Sequence, residues 1–421
     1  MDPKQRNASG THSTQSRIST LPREIYALSS PAWVGAALLE QYTPILVVDA
    51  HTMRAQRVAR LLTLAGYRPI VATSPVEAFT RCLRGSWEPE AALIGAVDQA
   101  NRLPLTRMVE HLAKRRGREL PILALPAFVP ELAPLHADPA IPYFHTSSPT
   151  SVAFFEELWR LLPQTRALLP EPERTLALDV LPESGLNLIP RTSQRLRSSR
   201  RHFQLTLNAA ARLLASQGRS FAQWRTLLND VGLAHAVALT RWPDPSTSVN
   251  ERKMGDDGGK IGDADDLVVP AVDLTCLNQA VAFSAPEHPQ QQLYLWGYQG
   301  TEASLHGQRS SVAQRAVRLL PRDRAMQIML NGFTRELDTV RGEALHHWRL
   351  QPDGSYLLVH YSNLYVYGRM WGREPACQVW LGALDATLHY VGQENNWQVR
   401  ELECSCQTQT GHCVFALRPR T

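Results

Sequence analysis

The chain has 421 residues, which is too long for one ordinary hydrophobic core and predicts two domains. Hydrophobic residues make up 44% of the sequence and charged residues 20%, a balance that excludes a fibrous or wholly disordered protein. No run approaches the roughly 18 apolar residues of a membrane span, and Met1–Thr20 is polar, without the apolar core of a signal peptide. We therefore expect a cytoplasmic protein that does not associate with membranes.

The first compact domain is predicted over residues 41–163, after a mostly disordered tail at 1–40 that is rich in Ser, Thr, Pro and Gln. Buried strands and amphipathic helices alternate five times in it, which favours an α/β fold with a doubly wound, five-stranded parallel sheet. The predicted strands are Pro44–Asp49, Pro69–Ala72, Ala91–Gly95, Pro121–Leu125 and Pro142–Phe144, and the predicted helices include Pro75–Leu83, Leu105–Arg115 and Ser151–Leu162.

A proline-rich linker is expected at 164–195, followed by a connecting helix at 196–220. The densest basic stretch of the chain lies there, at Arg191, Arg195, Arg197, Arg200 and Arg201. Such a run is typical of a solvated helix face or an interdomain contact, and the alternative is a phosphate or nucleic-acid contact.

The second domain, residues 221–421, is predicted to be α+β, with a flexible insertion at 243–266. Helices are expected near Asp273–Phe283, Gln291–Gln299, Val312–Leu320, Arg324–Leu337 and Cys377–Val391. Two hairpins provide an antiparallel sheet. In the first, Ala344–Leu350 and Ser355–Tyr361 flank a Gln-Pro-Asp-Gly turn, and in the second, Trp397–Cys404 pairs with His412–Leu417.

The alternating pattern of Pro44–Leu162 resembles the response-regulator receiver family, but its phosphorylation residues are missing. Asp49 is the only member left of the acidic pair that holds magnesium, and Gly95 occupies the position of the phosphate-accepting aspartate. Receivers also have a serine or threonine after the fourth strand and a lysine after the fifth. Here Pro126 occupies the first of these positions, and no lysine occurs between 137 and 150. Phosphoryl transfer needs a carboxylate nucleophile and a neutralising cation, so we expect a pseudo-receiver that serves as a docking or dimerisation surface.

Four of the six cysteines fall between Cys377 and Cys413, which suggests a metal site. Cys404 and Cys413 approach each other across the last hairpin, and Cys377 opens a helix nearby. Glu401 and Cys404 are three residues apart, so a bulge or a strand end would have to bring them to one face. Three thiolates and one carboxylate suit a closed tetrahedral zinc site, with Cys406 as an alternative ligand. Buried cysteines that act as small hydrophobes are the alternative.

The same region resembles the 4-vinyl-reductase-type domain family over about Phe221 to Leu417. The resemblance rests on these segments: Leu227–Leu233, Leu277–Ala280, Leu295–Gly300, Pro375–Cys377, and Glu401–Cys404 through Cys413–Phe415. It implies that Cys377, Glu401, Cys404 and Cys413 bind structural zinc, that the domain binds a small hydrophobic or aromatic molecule between helices and sheet, and that it forms a homodimer. Two features depart from the family. The spacing from Cys404 to Cys413 is one residue longer, and a Cys-x-x-Cys found near 363–366 in some relatives is absent.

The candidate walls of this pocket are aromatic: Trp296, Tyr298, Phe333, Trp348, Tyr365, Tyr367, Trp371 and Trp380. Ordinary core packing is the alternative for each of them. The histidines at positions 346, 347, 360, 389 and 412 lie in the same half. Haem ligation is not favoured, because the sequence contains no Cys-x-x-Cys-His.

These features together predict a non-enzymatic signalling protein that binds a small ligand through its second domain and a protein partner through its first. One alternative is an enzyme or accessory factor related to tetrapyrrole vinyl reduction, although the sequence has no glycine-rich nucleotide loop. The other is a DNA-binding regulator that uses the arginines near Arg197, although no helix-turn-helix signature accompanies them.

Overall fold

The computed structural model describes the backbone of most of the two predicted domains. Its described residues are 43–84, 88–96, 102–125, 143–145, 158, 162, 197–243, 268–307, 316–341, 346–361, 365, 377–404 and 412–420. The tail, the linker and nearly all of the insertion at 243–266 lie outside these residues, and so does the predicted helix Ser151–Leu162 except for Leu158 and Leu162. Residues 42–421 form one compact unit. The predicted domain boundaries stay predictions.

The first half of this unit contains a parallel sheet, and we call its described residues, 43–162, the parallel-sheet half. Its elements are β1 (Pro44–Val48), α1 (Thr52–Leu64), β2 (Arg68–Ala72), α2 (Pro75–Arg84), β3 (Ala91–Ile94), α3 (Arg102–Arg116) and β4 (Ile122–Ala124). The four strands lie in the order β2-β1-β3-β4, and every neighbouring pair is parallel.

The prediction of five full strands needs a correction. The region of the predicted fifth strand contains only a three-residue segment, β5 (Tyr143–His145), which runs parallel to β4 at the edge of the four-stranded sheet. This segment follows a long stretch without an apolar run comparable to Ile45–Val48, and the residues on either side of it lie outside the described part of the chain.

The alternation of side chains along β1 explains the double winding. Ile45 and Val47 pack with the buried residues of α1, whereas Leu46 and Val48 pack with those of α2 and α3 on the opposite face. Because both faces are covered, the strands are continuously apolar, and the four residues from Ile45 to Val48 are fully buried. The predicted helices on both sides of a parallel sheet are therefore confirmed for the described strands.

The remaining described residues, 197–420, form the antiparallel-sheet half. Its helical part contains β6 (Arg197–Ser199), α4 (Arg200–Ser216), α5 (Phe221–Asp230), a short 3-10 helix (Ala234–Leu239), β7 (Val268–Pro270), α6 (Ala271–Ser284), α7 (Pro289–Gly307) and α8 (Arg322–Arg341). The predicted connecting helix begins later than expected, because Arg197–Ser199 pairs antiparallel with Val268–Pro270. Helix α4 then buries Phe203, Leu207 and Leu214 in the core of this half.

Two hairpins and one helix complete the fold: β8 (His346–Leu350), β9 (Tyr356–Tyr361), α9 (Gln378–Val391), β10 (Trp397–Glu403) and β11 (His412–Pro419). The strands form an antiparallel sheet in the order β10-β11-β9-β8, so both predicted hairpins are confirmed. At the first turn, Gly354 has a φ of 78°, and its N–H donates to the carbonyl of Gln351 at 3.0 Å. Glycine adopts this left-handed conformation without steric cost.

Helices α7 and α9 approach each other more closely than ordinary side chains allow. A β-carbon on Gly297 would collide with the carbonyl of Val379, and one on Gly382 would collide with the carbonyl of Tyr294. The two glycines therefore bring the helix backbones into contact, which fixes the start of α9 relative to α7.

Among the described residues, no helix is long and apolar enough to cross a bilayer.

Candidate metal centre and adjoining aromatic group

Three elements bring Cys377, Glu401, Cys404 and Cys413 together. Cys377 is the N-cap residue of α9, Cys404 follows the last residue of β10, and Cys413 is the second residue of β11. The β10–β11 register shifts between Glu401 and Glu403. The three-residue spacing of Glu401 and Cys404 required a bulge or a strand end. The register shift is such an irregularity, and Cys404 lies just beyond the end of β10.

The four ligand atoms of this Cys/Glu cluster all lie within 4.8 Å of one another. The Sγ atom of Cys377 is 3.5 Å from that of Cys404 and 3.3 Å from that of Cys413. All three cysteines are fully buried. Both carboxylate oxygens of Glu401 are also buried, and no nitrogen or oxygen of the described residues donates a hydrogen bond to them.

Burial raises the pKa of the Cys377 thiol well above its usual value, and the hydrogen bonds with Cys404 and Cys413 add to the increase. Burial likewise raises the pKa of Glu401 well above its usual value, with a further contribution from Cys404. A buried carboxylate without an N–H or O–H donor is costly, and a bound cation at this point would remove that cost. The donor set therefore fits a metal ion, with four ligands and no further protein group needed.

A contiguous aromatic group lies beside this cluster. It consists of Trp296, Phe333, His346, His360, Tyr365, Trp380 and Phe415, joined by ring contacts with centroid separations of 4.6 to 6.3 Å. Four predicted wall residues, Trp296, Phe333, Tyr365 and Trp380, belong to it. Phe333 comes from α8 and Trp380 from α9, so the group lies between helices and sheet.

The other predicted wall residues lie elsewhere. Trp348 contacts Tyr356 and donates a hydrogen bond from Nε1 to Asn331, and Tyr356 contacts Trp397 in a second aromatic group. Tyr298 lies near Tyr294 and His389, where burial raises its pKa to about 12. Tyr367, Trp371 and the alternative ligand Cys406 lie outside the described residues.

Two buried histidines, His346 and His360, are members of the group that the sequence did not assign to the pocket. They are direct partners across the β8–β9 pair, and their rings meet edge to face at a centroid distance of 4.7 Å. His360 is also the direct partner of Cys413 across β9 and β11. The row is set by the register between β8, β9 and β11, so the strand order and the period of two would not by themselves have predicted it.

An ion pair of the parallel-sheet half lies beside Gly95, the residue that the receiver resemblance assigns to the phosphate-accepting position. The guanidinium of Arg54 donates from Nε to Oδ2 of Asp49 and from Nη2 to Oδ1 at 2.9 Å. Asp49 is fully buried, and a β-carbon on Gly95 would collide with its carboxylate. Arg54 therefore provides the positive charge beside the remaining acid, and Gly95 leaves room for this ion pair.

A surface cleft of about 420 Å³ is lined by no residue of the Cys/Glu cluster or of the aromatic group. Gln217, Arg219, Gln223, His288 and Gln292 contribute to its lining, and Gln217 and Gln292 donate hydrogen bonds to each other. Its polar lining does not correspond to the predicted apolar pocket.

No family model, no curated protein and no solved structure matches this chain. Its function therefore has to be inferred from its own residues.

Proposed function

We propose that the chain is a non-enzymatic regulatory protein whose antiparallel-sheet half binds a small hydrophobic or aromatic ligand beside a structural zinc site. The observation that carries the proposal is the direct pairing of Cys413 with His360, which joins the Cys/Glu cluster to the aromatic group. The resemblance to the 4-vinyl-reductase-type family supports the same function, and with it we propose a homodimer in the cytoplasm.

Zinc is the metal that the donor set favours, because Cys377, Cys404 and Cys413 provide soft thiolates and Glu401 completes a tetrahedral set. A bound zinc ion would supply a cross-link between the start of α9 and the last hairpin. Four protein ligands in a buried site leave no open position for substrate or water, which supports a structural role.

The aromatic group supports ligand binding by its composition. Its rings provide apolar walls, and the imidazoles of His346 and His360 provide polar atoms that could orient a single hydroxyl or carbonyl group of a ligand. The rings contact one another directly, so a ligand would have to separate them. Phe333 is only partly buried, which makes it the side chain that can move outward most easily.

The parallel-sheet half is proposed to contact a protein partner without being phosphorylated. Gly95 cannot accept a phosphoryl group, and Arg54 already neutralises Asp49. Gly95 and the Arg54–Asp49 pair are compatible with the fold of this half, because an internal ion pair occupies the space where the reactive groups of a receiver would lie.

Tryptophan fluorescence tests the ligand-binding proposal, because Trp296 and Trp380 lie in the aromatic group. The full chain would be titrated with a panel of neutral one-ring and two-ring aromatic compounds, with reduced nicotinamide present in a parallel series. We expect saturable binding without turnover. Replacing Phe333 by Ala should weaken binding by about tenfold or more, whereas Trp348→Phe, in the second aromatic group, should leave it unchanged. Turnover, or no saturable binding by any compound, would contradict the proposal.

A further inference from the structure

The segment Asn229–His235 of the antiparallel-sheet half lies against the parallel-sheet half. Asp230, the last residue of α5, is buried and accepts hydrogen bonds from the N–H of Val71 at 3.0 Å and from both Nη atoms of Arg81 at 2.7 and 2.6 Å. Val71 belongs to β2, which is an edge strand of the sheet. The carboxylate thus binds a backbone donor of the sheet edge and a side chain of α2 at once.

The same segment also binds α1. The side chain of Gln56 donates to the carbonyl of Asn229 at 2.9 Å and accepts from the N–H of Ala234 at 3.1 Å. Gly232 between them has a φ of 79°, and a β-carbon there would lie 2.6 Å from the carbonyl oxygen of Gln56. The segment therefore fits the backbone of α1 closely only with glycine at position 232.

Helix α6 makes a third contact with the parallel-sheet half. Asp273 near its start is buried, 3.1 Å from Nη2 of Arg60 and 3.1 Å from Nε2 of His235. At its other end, the guanidinium of Arg68 lies over the ring of Phe283 at 5.4 Å. One helix thus contacts both α1 and the start of β2.

Helix α6 also reaches the aromatic group. Asn278, five residues after Asp273, is fully buried and donates from Nδ2 to the backbone carbonyl of Tyr365 at 3.0 Å. Tyr365 contacts Trp296 and Trp380. An α-helix rises 1.5 Å per residue, so Asp273, which contacts Arg60, and Asn278, which contacts Tyr365, are about 7.5 Å apart along α6. Tyr365 and Arg60 are therefore both bound to α6, without an intervening loop between the two contacts.

We propose that α6 and the segment Asn229–His235 transmit the state of the aromatic group to the parallel-sheet half. Contact with the ligand-binding half then takes the place of phosphorylation as the input to the receiver-like fold. Helix α1 receives this input through Gln56 and Arg60, and it also carries Arg54, which holds Asp49. The inference rests on the proposed function, because the input is ligand binding at the aromatic group. It adds the elements through which that binding affects the parallel-sheet half.

Amide hydrogen exchange of the full chain tests the inference without a ligand or a metal. Asp230→Asn should speed exchange of the Val71 amide by about tenfold or more, because the charged acceptor is lost. Glu77→Gln is the matched control, since it removes a charge from α2 whose carboxylate accepts from the N–H and hydroxyl of Thr73, within the parallel-sheet half. Unchanged exchange at Val71 in Asp230→Asn would overturn the direct contact.

The transmission itself is tested by Asn278→Ala, which removes the hydrogen bond from Asn278 to the backbone carbonyl of Tyr365. We expect exchange to rise about threefold or more in residues 56–60 and 68–72. Thr387→Ala controls for general destabilisation, because the buried Thr387 hydroxyl donates to Ala383 within α9. An equal response in the two variants, or a response confined to the antiparallel-sheet half, would overturn the inference. Failure to bind any aromatic compound would contradict the proposed function and leave this exchange result standing.

Discussion

Cys413 and His360 are direct cross-strand partners on β11 and β9, so their side chains project from the same face of the antiparallel sheet. His346 continues the row on β8. The Cys/Glu cluster and the aromatic group are therefore neighbours on one surface, and Cys377 of the cluster is also the N-cap residue of α9, which carries Trp380. A change in either group is expected to alter the packing of the other.

The close crossing of α7 and α9 predicts a large loss of stability on a small substitution. Gly297→Ala and Gly382→Ala each place a methyl group against a backbone carbonyl that cannot rotate away. We expect each to lower the free energy of unfolding by about 3 kcal/mol or more, measured by denaturant unfolding. Gly332→Ala on α8 is the control. A β-carbon there meets no atom within 4 Å, so the higher helix propensity of Ala should raise stability by about 0.5–1 kcal/mol.

Asp385 on α9 predicts a pH dependence of stability. Burial raises its pKa from 3.8 to about 6, although the hydroxyl of Tyr294 donates to Oδ2 at 2.8 Å. The folded state therefore holds the proton more tightly than the unfolded state. The stabilisation from this group is fully present below pH 3.8 and is lost as the pH rises to about 6, by about 3 kcal/mol.

Asp385→Asn tests this dependence, because the amide oxygen can still accept from Tyr294. The variant should lose this component of the pH slope and should be more stable than the parent at pH 7, as measured by urea unfolding across pH 3.5–8. Glu287→Gln, at an exposed position, should leave the slope unchanged. A slope that persists in Asp385→Asn would assign the dependence to another group.

The ion pair of Arg54 and Asp49 predicts a loss of stability in the parallel-sheet half when its cation is removed. Arg54→Met leaves the fully buried Asp49 without its cation, and we expect a loss of about 3–5 kcal/mol in the free energy of unfolding. The exposed Arg57 lies on the same helix, and Arg57→Met should change stability by about 0.5 kcal/mol or less. A loss as small in Arg54→Met as in the control would show that the pair is not needed.

Much of the fold could be predicted because its signals are local. The apolar run of Ile45–Val48 predicts a buried strand, and the Pro-Asp-Gly turn predicts the β8–β9 hairpin; the structure has both. The Cys/Glu cluster was also predictable, including the need for a bulge or a strand end near Glu401, because cysteine spacing and strand period constrain it. The start of α4 could not be predicted, because Arg197–Ser199 pairs with β7, a strand about 70 residues later in the chain.

The contacts between the two halves could not be predicted from local patterns. Asp230 looks like an ordinary polar residue at the end of a helix, and its partners Val71 and Arg81 lie about 150 residues earlier. No periodicity links such positions. Gly232 carries a partial signal, because a glycine just after a helix suggests a left-handed residue, but it does not indicate that α1 packs against it.

The metal content of the purified full chain tests the central claim most directly. Plasma mass spectrometry should find about one zinc ion per chain in the parent, and much less in Cys404→Ser, Cys413→Ser and Glu401→Gln. Cys276→Ser is the matched control, because Cys276 is a buried thiol of the same half outside the cluster, and it should retain zinc. A metal-free parent chain, or zinc retained equally in all variants, would contradict the assignment of this cluster as a zinc site.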